Sequence, residues 1–169
     1  MQPAGRSEMK SIALALALSL AALPALAQNA AEIAKVQAGA GCPRCNLFQI
    51  DLYNKQVGGR DFAGARMRQG DFSLSVFNKD NFAGADLRDV NAYGALFGGA
   101  KMRDADLTNA TFVGAYLEGA NLSGAKLSGA NFSGAEMDRA IGLNQAQLNK
   151  ACGDETTTLP RGLHIPACK

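Results

Sequence analysis

Large apolar residues recur at every fifth position along most of this chain. In GANLSGAKLSGANFSGAEM (119–137) they are Leu122, Leu127, Phe132 and Met137, and Ala120, Ala125, Ala130 and Ala135 each stand two positions earlier. A step of five fits neither regular element. On a helix it turns each large residue by about 140° from the last and scatters them round the surface. In one continuous strand it sends them to alternate faces. The period asks instead for a chain that makes one short face in five residues and then turns a corner.

This frame opens at Ala40 and runs without insertion to Arg139, twenty units in one hundred residues. The third position is large and apolar in every unit except those that hold Cys42 and Ala92, and it takes seven of the eight phenylalanines. With the first and third residues inward and the other three outward, Ala fits a crowded corner and Leu or Phe fills the centre. Gly and Ser then ease the bend.

Three units, ADLRD (85–89), ADLTN (105–109) and ANLSG (120–124), match the pattern A(D/N)LXX as they stand. In these the chain resembles the pentapeptide-repeat family. The resemblance implies an all-β fold, a right-handed quadrilateral β-helix with four units per coil and about five coils over 40–139. Coils stacked at strand spacing, roughly 4.8 Å, would make a rod about 24 Å tall. Each coil leaves an apolar face that only a neighbour can bury.

In such a stack residues twenty apart lie above one another, so departures from the pattern can be paired. Arg60 and Asp80 both replace the corner Ala and are twenty apart. A buried or half-buried ion pair is expected, because an unpaired inward charge is costly. Val90 and Ala92 reverse the small-then-large order, and for both departures the competing reading is local repacking in the early, less regular coils.

The ends read differently. In 1–27, Lys10 is followed by SIALALALSLAALPALA and the small-x-small Ala25-Leu26-Ala27, the pattern of a cleaved signal peptide. Its apolar run is shorter than the roughly 20 residues that span a bilayer. Translation can be read from Met1 or Met9. The expectation is export, to the periplasm or the medium, with no membrane association after cleavage. Residues 28–39 form an N-terminal cap, with a short helix over AAEIAKVQ (30–37). Residues 140–169 close the other end. There Asn144 and Gln147 make a capping box for a helix expected to reach about Cys152 and stop at Gly153.

Export places the four cysteines where disulfides persist. A Cys152–Cys168 bridge would hold the tail against the terminal helix, for about 3 kcal/mol in the chain-entropy model. The rod separates the two pairs by far more than the ~7 Å limit between Cα atoms, which leaves Cys42–Cys45 as the second bridge. CPRC (42–45) also has the spacing of a redox or metal motif, so a structural and a redox role both stay open.

Composition narrows the chemistry. Formal charge is +2, and +1 without Arg6, Glu8 and Lys10 of the leader; aromatic residues are 7% with no Trp. There is no basic nucleic-acid footprint, no acidic excess and little to line an aromatic cofactor pocket. The one histidine, His164, sits between Leu163 and Ile165 and reads as a packed or surface residue. GGR (58–60) is a repeat corner without the strand–loop–helix setting of a phosphate loop. No catalytic, cofactor or metal constellation emerges, and the protein reads as no enzyme.

The outward positions carry one lead. Tyr53, Tyr93 and Tyr116 gather on one edge with Leu74, Val76, Leu96 and Val113, whereas the second face mixes Arg66, Arg68, Asp86, Arg88, Asp89, Asp106 and Lys126. A contiguous apolar stripe on a polar rod points to a contact surface; the competing reading is a side-chain ladder that only steadies the sheet. The leading function is therefore a scaffold that binds an unknown protein partner, or a second copy of itself, through that edge. The family resemblance implies an alternative, a gyrase-protecting DNA mimic, which the export signal and near-neutral charge oppose. A thiol redox or metal-handling role for Cys42 and Cys45 is the third.

Overall fold

The computed structural model describes residues 28–169; the expected signal segment lies outside them. From Ala40 onward the chain repeats one local device. In every unit but the one before Arg60, the N–H of the next unit's first residue donates to the third residue's carbonyl, as from Ala65 to Phe62 (3.0 Å), Ala105 to Met102 (3.2 Å) and Ala130 to Leu127 (3.0 Å). The fifth residue then takes a positive φ, for example 64° at Gly114 and 66° at Gly134, as the third place of a type II turn demands. Asp or Asn at the second position secures the same turn from outside. The Oδ1 atoms of Asp61, Asn81, Asp106 and Asn121 accept from the backbone N–H two residues on, at 3.0 to 3.1 Å.

Four such corners close a coil, and each coil pairs with the next through parallel bridges between residues twenty apart. One column runs Asp61, Asn81, Lys101, Asn121, Ile141; another runs Gln56, Val76, Leu96, Tyr116, Glu136. A face is too short for a regular strand and contributes a single bridge. We number the faces from Ala40, so that residues 40–44, 45–49, 50–54 and 55–59 are faces one to four of the first coil. Five complete coils fill 40–139.

First and third positions are inward. The phenylalanines stack along the axis: Phe62 on Phe82 with ring centroids 5.3 Å apart, Phe77 on Phe97 at 5.2 Å, and Phe112 on Phe132 at 5.4 Å. On face three Ala92 interrupts the Phe column, and Val90 beside it is buried too. A Cβ on Gly70, under Val90, would lie 2.9 Å from the Phe72 ring and 3.2 Å from the Ile50 carbonyl, so the large ring there requires the smallest corner residue.

The helix α1 (Ala30–Gln37) lies across the first coil, with Val36 buried and its Glu32 carboxylate accepting the Asn46 N–H at 2.6 Å. At the other end the helix α2 (Gln145–Leu148) is a single turn with a complete capping box. It ends four residues before the expected Cys152. The reason is that the chain returns to the ladder: Cys152 pairs with Asn131 and Thr158 with Glu136, so 140–158 form a sixth, incomplete coil with α2 in place of its second face. Leu148 plugs the core, and the Gln147 side chain donates to the carbonyls of Leu122 and Ala125. The tail then adds one last layer, Gly153 with Ala167.

The expected Arg60–Asp80 ion pair does not form. Asp80 is fully buried, but its Oδ1 accepts the backbone N–H of Arg60 at 2.6 Å, while the exposed Arg60 side chain donates through Nε to the Gly39 carbonyl at 2.6 Å. Asp80 supplies the acceptor that a third-position carbonyl supplies elsewhere. At Lys55 the Ser75 hydroxyl adds a second acceptor, taking the N–H at 2.9 Å beside the Leu52 carbonyl at 3.2 Å, and the Lys55 side chain also points out. A long charged residue at a corner thus turns outward, and the polar residue one coil above accepts its backbone N–H.

Asp80 Oδ2 has no partner. Burial pushes this carboxyl up from 3.8 to about 6, against the smaller pull of the Arg60 and Gly59 N–H groups and the Arg60 charge. Between about pH 4 and 6 the folded chain therefore keeps a proton that the unfolded chain has released. Stability from this group falls as pH rises through that window, by up to ~3 kcal/mol. Asp80→Asn keeps the acceptor and removes the titration. Urea unfolding at pH 4.5 and 7.5 should show a smaller pH-linked loss in the variant than in the parent; identical slopes would place the Asp80 carboxyl outside this linkage.

Candidate interaction edge

The edge lies where face three turns into face four. Its outermost apolar residues are Tyr53 (52% exposed), Leu74 (47%), Tyr93 (54%) and Leu96 (39%), while Val76 and Val113 are half-buried beside them. Val76 and Leu96 are bridged neighbours in the face-four column. Tyr116, the next residue up that column, is drawn away from the others. Its hydroxyl donates to Glu118, whose carboxylate also receives Arg139, and its ring lies over Gly98, where a Cβ would sit 3.3 Å from Cε1. The Glu118 bond, foremost, raises the Tyr116 hydroxyl above its ordinary pKa. The sequence grouped the three tyrosines; side-chain contacts divide them two and one.

Leu74 has a feature that the hydrophobic pattern did not show. It occupies the fifth position of its unit with φ 57°, and it is the one apolar residue among the nine non-glycine residues with positive φ in the described chain. The others are polar or charged. A bulky side chain in the left-handed region is strained, and strain of this kind marks places where a side chain is needed for something besides the fold. The signal was legible as a departure in the fifth column, which otherwise reads Gly, Asn, Asp, Gln, Lys or Arg.

The remaining sequence-derived positions fall elsewhere. On face two Arg88 pairs with Asp86 at 2.6 Å, Arg68 with Asp89 at 3.4 Å and Lys126 with Asp106 at 3.5 Å. Burial works to raise the Asp86 carboxyl, but the Arg88 hydrogen bonds outweigh it and hold the group below its ordinary range. This face is a set of half-exposed ion pairs, which contribute little each. Cys42 is bonded to Cys45, with Cα atoms 5.5 Å apart, and Cys152 to Cys168 at 4.8 Å. The first bridge spans one turn of the first coil and the second fastens the tail. His164 is exposed, and the Gln145 side chain binds its backbone N–H and carbonyl. Among the described residues no cluster of His, Cys, Asp and Glu could hold a metal ion, and no helix is long and apolar enough to cross a membrane.

Five-residue faces, φ-positive corners and a twenty-residue ladder define a parallel β-solenoid with four faces per coil. The model of the pentapeptide repeats matches residues 81–119 and 115–152, in eight copies. The chain belongs to the pentapeptide-repeat family, and membership implies the right-handed quadrilateral β-helix. No curated protein matches it.

Solved structures do. The chain is 25% identical to HetL, a pentapeptide repeat protein involved in heterocyst differentiation regulation in the cyanobacterium Nostoc sp. strain PCC 7120, over 78% of this chain and 63% of that one, with a TM-score of 0.41. It is 29% identical to a pentapeptide repeat protein of the Arabidopsis thaliana thylakoid lumen, over 63% and 59%, with a TM-score of 0.29. It is 19% identical to QnrB1, a plasmid-mediated fluoroquinolone resistance protein, over 73% and 76%, with a TM-score of 0.45. The chain thus spans less than two thirds of the first two.

Leu74→Gly tests the strain directly. Glycine adopts this φ freely, so the variant should unfold at a free energy about 1 kcal/mol higher than the parent in denaturant titration. A clear loss of stability would mean that Leu74 contributes packing to the rod itself.

Proposed function

We propose that this protein is a non-enzymatic, exported scaffold that engages another protein chain through the corner between faces three and four. The observation that carries the reading is Leu74: a strained, half-exposed leucine set between Tyr53 and Tyr93 at a position where the repeat elsewhere takes glycine or a polar residue. Exposed tyrosine and leucine side by side are the composition of contact surfaces rather than of ordinary solvent faces. Export is supported by the apolar leader with its small-x-small end and fits two disulfides at the ends of the domain.

The DNA-mimic reading needs a dense acidic face. The outward columns instead interleave signs, as in Arg66, Asp86, Asp106 and Lys126 on face two. Purified protein should therefore leave the inhibition of gyrase supercoiling by a fluoroquinolone unchanged; restored supercoiling would favour the mimic.

The edge itself is tested by photo-crosslinking in the producing cell, with the reactive amino acid at Tyr93 and, as control, at the exposed Arg103 of face one. A discrete adduct at Tyr93 alone is the expected result. No adduct at either position would reduce the stripe to a side-chain ladder that steadies the coils.

A further inference from the structure

The three columns that form the edge have a common property: each is complementary to itself when inverted about the third coil. Face four reads Gln56, Val76, Leu96, Tyr116, Glu136 from bottom to top, apolar in its middle three and polar at both ends. The fourth positions of face three read Tyr53, Ser73, Tyr93, Val113, Ser133, so that inversion brings Tyr53 onto Ser133 and Val113 onto Ser73, with Tyr93 on the axis meeting its own copy. The fifth positions read Asn54, Leu74, Gly94, Gly114, Gly134, with side chains in the lower half and bare glycines in the upper. Space is open at the upper end, since a Cβ on Gly114 would meet nothing within 4 Å. Leu74 leans toward the centre of inversion, its Cδ2 lying 3.0 Å from where a Gly94 Cβ would be.

Resting on the contact edge proposed above, we propose that its occupant is a second copy of this chain. The two rods lie side by side and antiparallel, related by a two-fold axis that crosses the edge at Tyr93 and Leu96. Leu96 then meets Leu96 of the other copy, Leu74 sits on the other copy's Gly114, and Tyr53 faces its Ser133. Such an isologous contact uses one patch twice and closes on itself.

Charge selects antiparallel over parallel pairing. Lys55 is exposed at the lower end of the corner, and Glu136 is exposed at the upper end. Inversion brings the lysine of each copy to the glutamate of the other. Parallel rods would set Lys55 beside Lys55 and Glu136 beside Glu136, at a cost in repulsion. The edge is one corner wide and about 24 Å tall, well under the ~800 Å² per partner of a standard interface. The dimer is therefore reversible and depends on concentration.

Sedimentation velocity on the disulfide-intact protein across a concentration series should show a monomer–dimer equilibrium. Leu96→Lys should weaken it at least tenfold. Leu74→Gly, which removes backbone strain and so leaves a folded rod, should weaken it severalfold. The geometry is read with a short bismaleimide, because the described chain has no free cysteine to compete. Leu96→Cys should cross-link to itself, and a mixture of Lys55→Cys and Glu136→Cys chains should give the mixed dimer far more than either homodimer.

A protein that stays monomeric up to millimolar concentration would overturn the proposal, and homodimers of Lys55→Cys in place of mixed dimers would overturn its antiparallel form. A Tyr93 photo-adduct of another mass, found with a purely monomeric rod, would sink self-pairing while leaving the contact edge standing. Silence in both assays would sink the two together.

Discussion

Everything in this molecule depends on the hydrogen-bonded step from one coil to the next. Because the chain returns to the same place every twenty residues, the neighbours that matter to a side chain are its column and not its sequence neighbours. The N–H of Leu47 reaches the Arg66 carbonyl and the N–H of Arg66 reaches the Cys45 carbonyl, both within 2.9 Å, and this exchange recurs from coil to coil. Stability in such a stack is the sum of adjacent-layer contacts, with no distant element to compensate for a weak one. That is why a misfit in one coil is met in the coil directly above or below. Asp80 completes the turn at Arg60, and Ser75 adds a second acceptor at Lys55.

The sequence exposed this plan to an unusual degree, for a physical reason. A period of five with one large residue in each unit has a single common explanation, and inward Ala and Leu columns follow from it by counting. Counting also placed the apolar edge. What it could not give was side-chain direction at the irregular corners. Arg60 and Asp80 share a column, and the sequence suggested attraction between their charges. The outcome was decided by a backbone N–H that needed an acceptor, which no reading of charges could rank. Tyr116 stands in the column that counting assigned to it, but the turn of its hydroxyl toward Glu118 within face four was beyond counting. The end of α2 was missed because a return to the ladder after Leu148 offers hydrogen bonds that a longer helix would forgo.

The faces divide their work. Face two carries opposite charges in register and behaves as an ordinary wet surface. The corner of faces three and four carries hydrophobic side chains in water, one of them at a backbone angle that suits it poorly. A repeat fold makes such differences cheap to build, because the outward residues of one column are free of the packing that fixes the inward ones.

The last layer of the tail has a bearing on more than the end of the rod. A stack of parallel coils finishes in a row of unsatisfied amides and carbonyls, which is the template on which fibrils grow. Here Gly153 binds the Pro166 carbonyl, Cys168 binds the Gly153 carbonyl, and the Cys152–Cys168 bond makes the arrangement permanent. Proline at 166 has no amide hydrogen to offer a further layer. The tail thus works as a stop codon written in structure: it tells a self-propagating geometry where to cease, and keeps a one-dimensional crystal to the size of a single molecule.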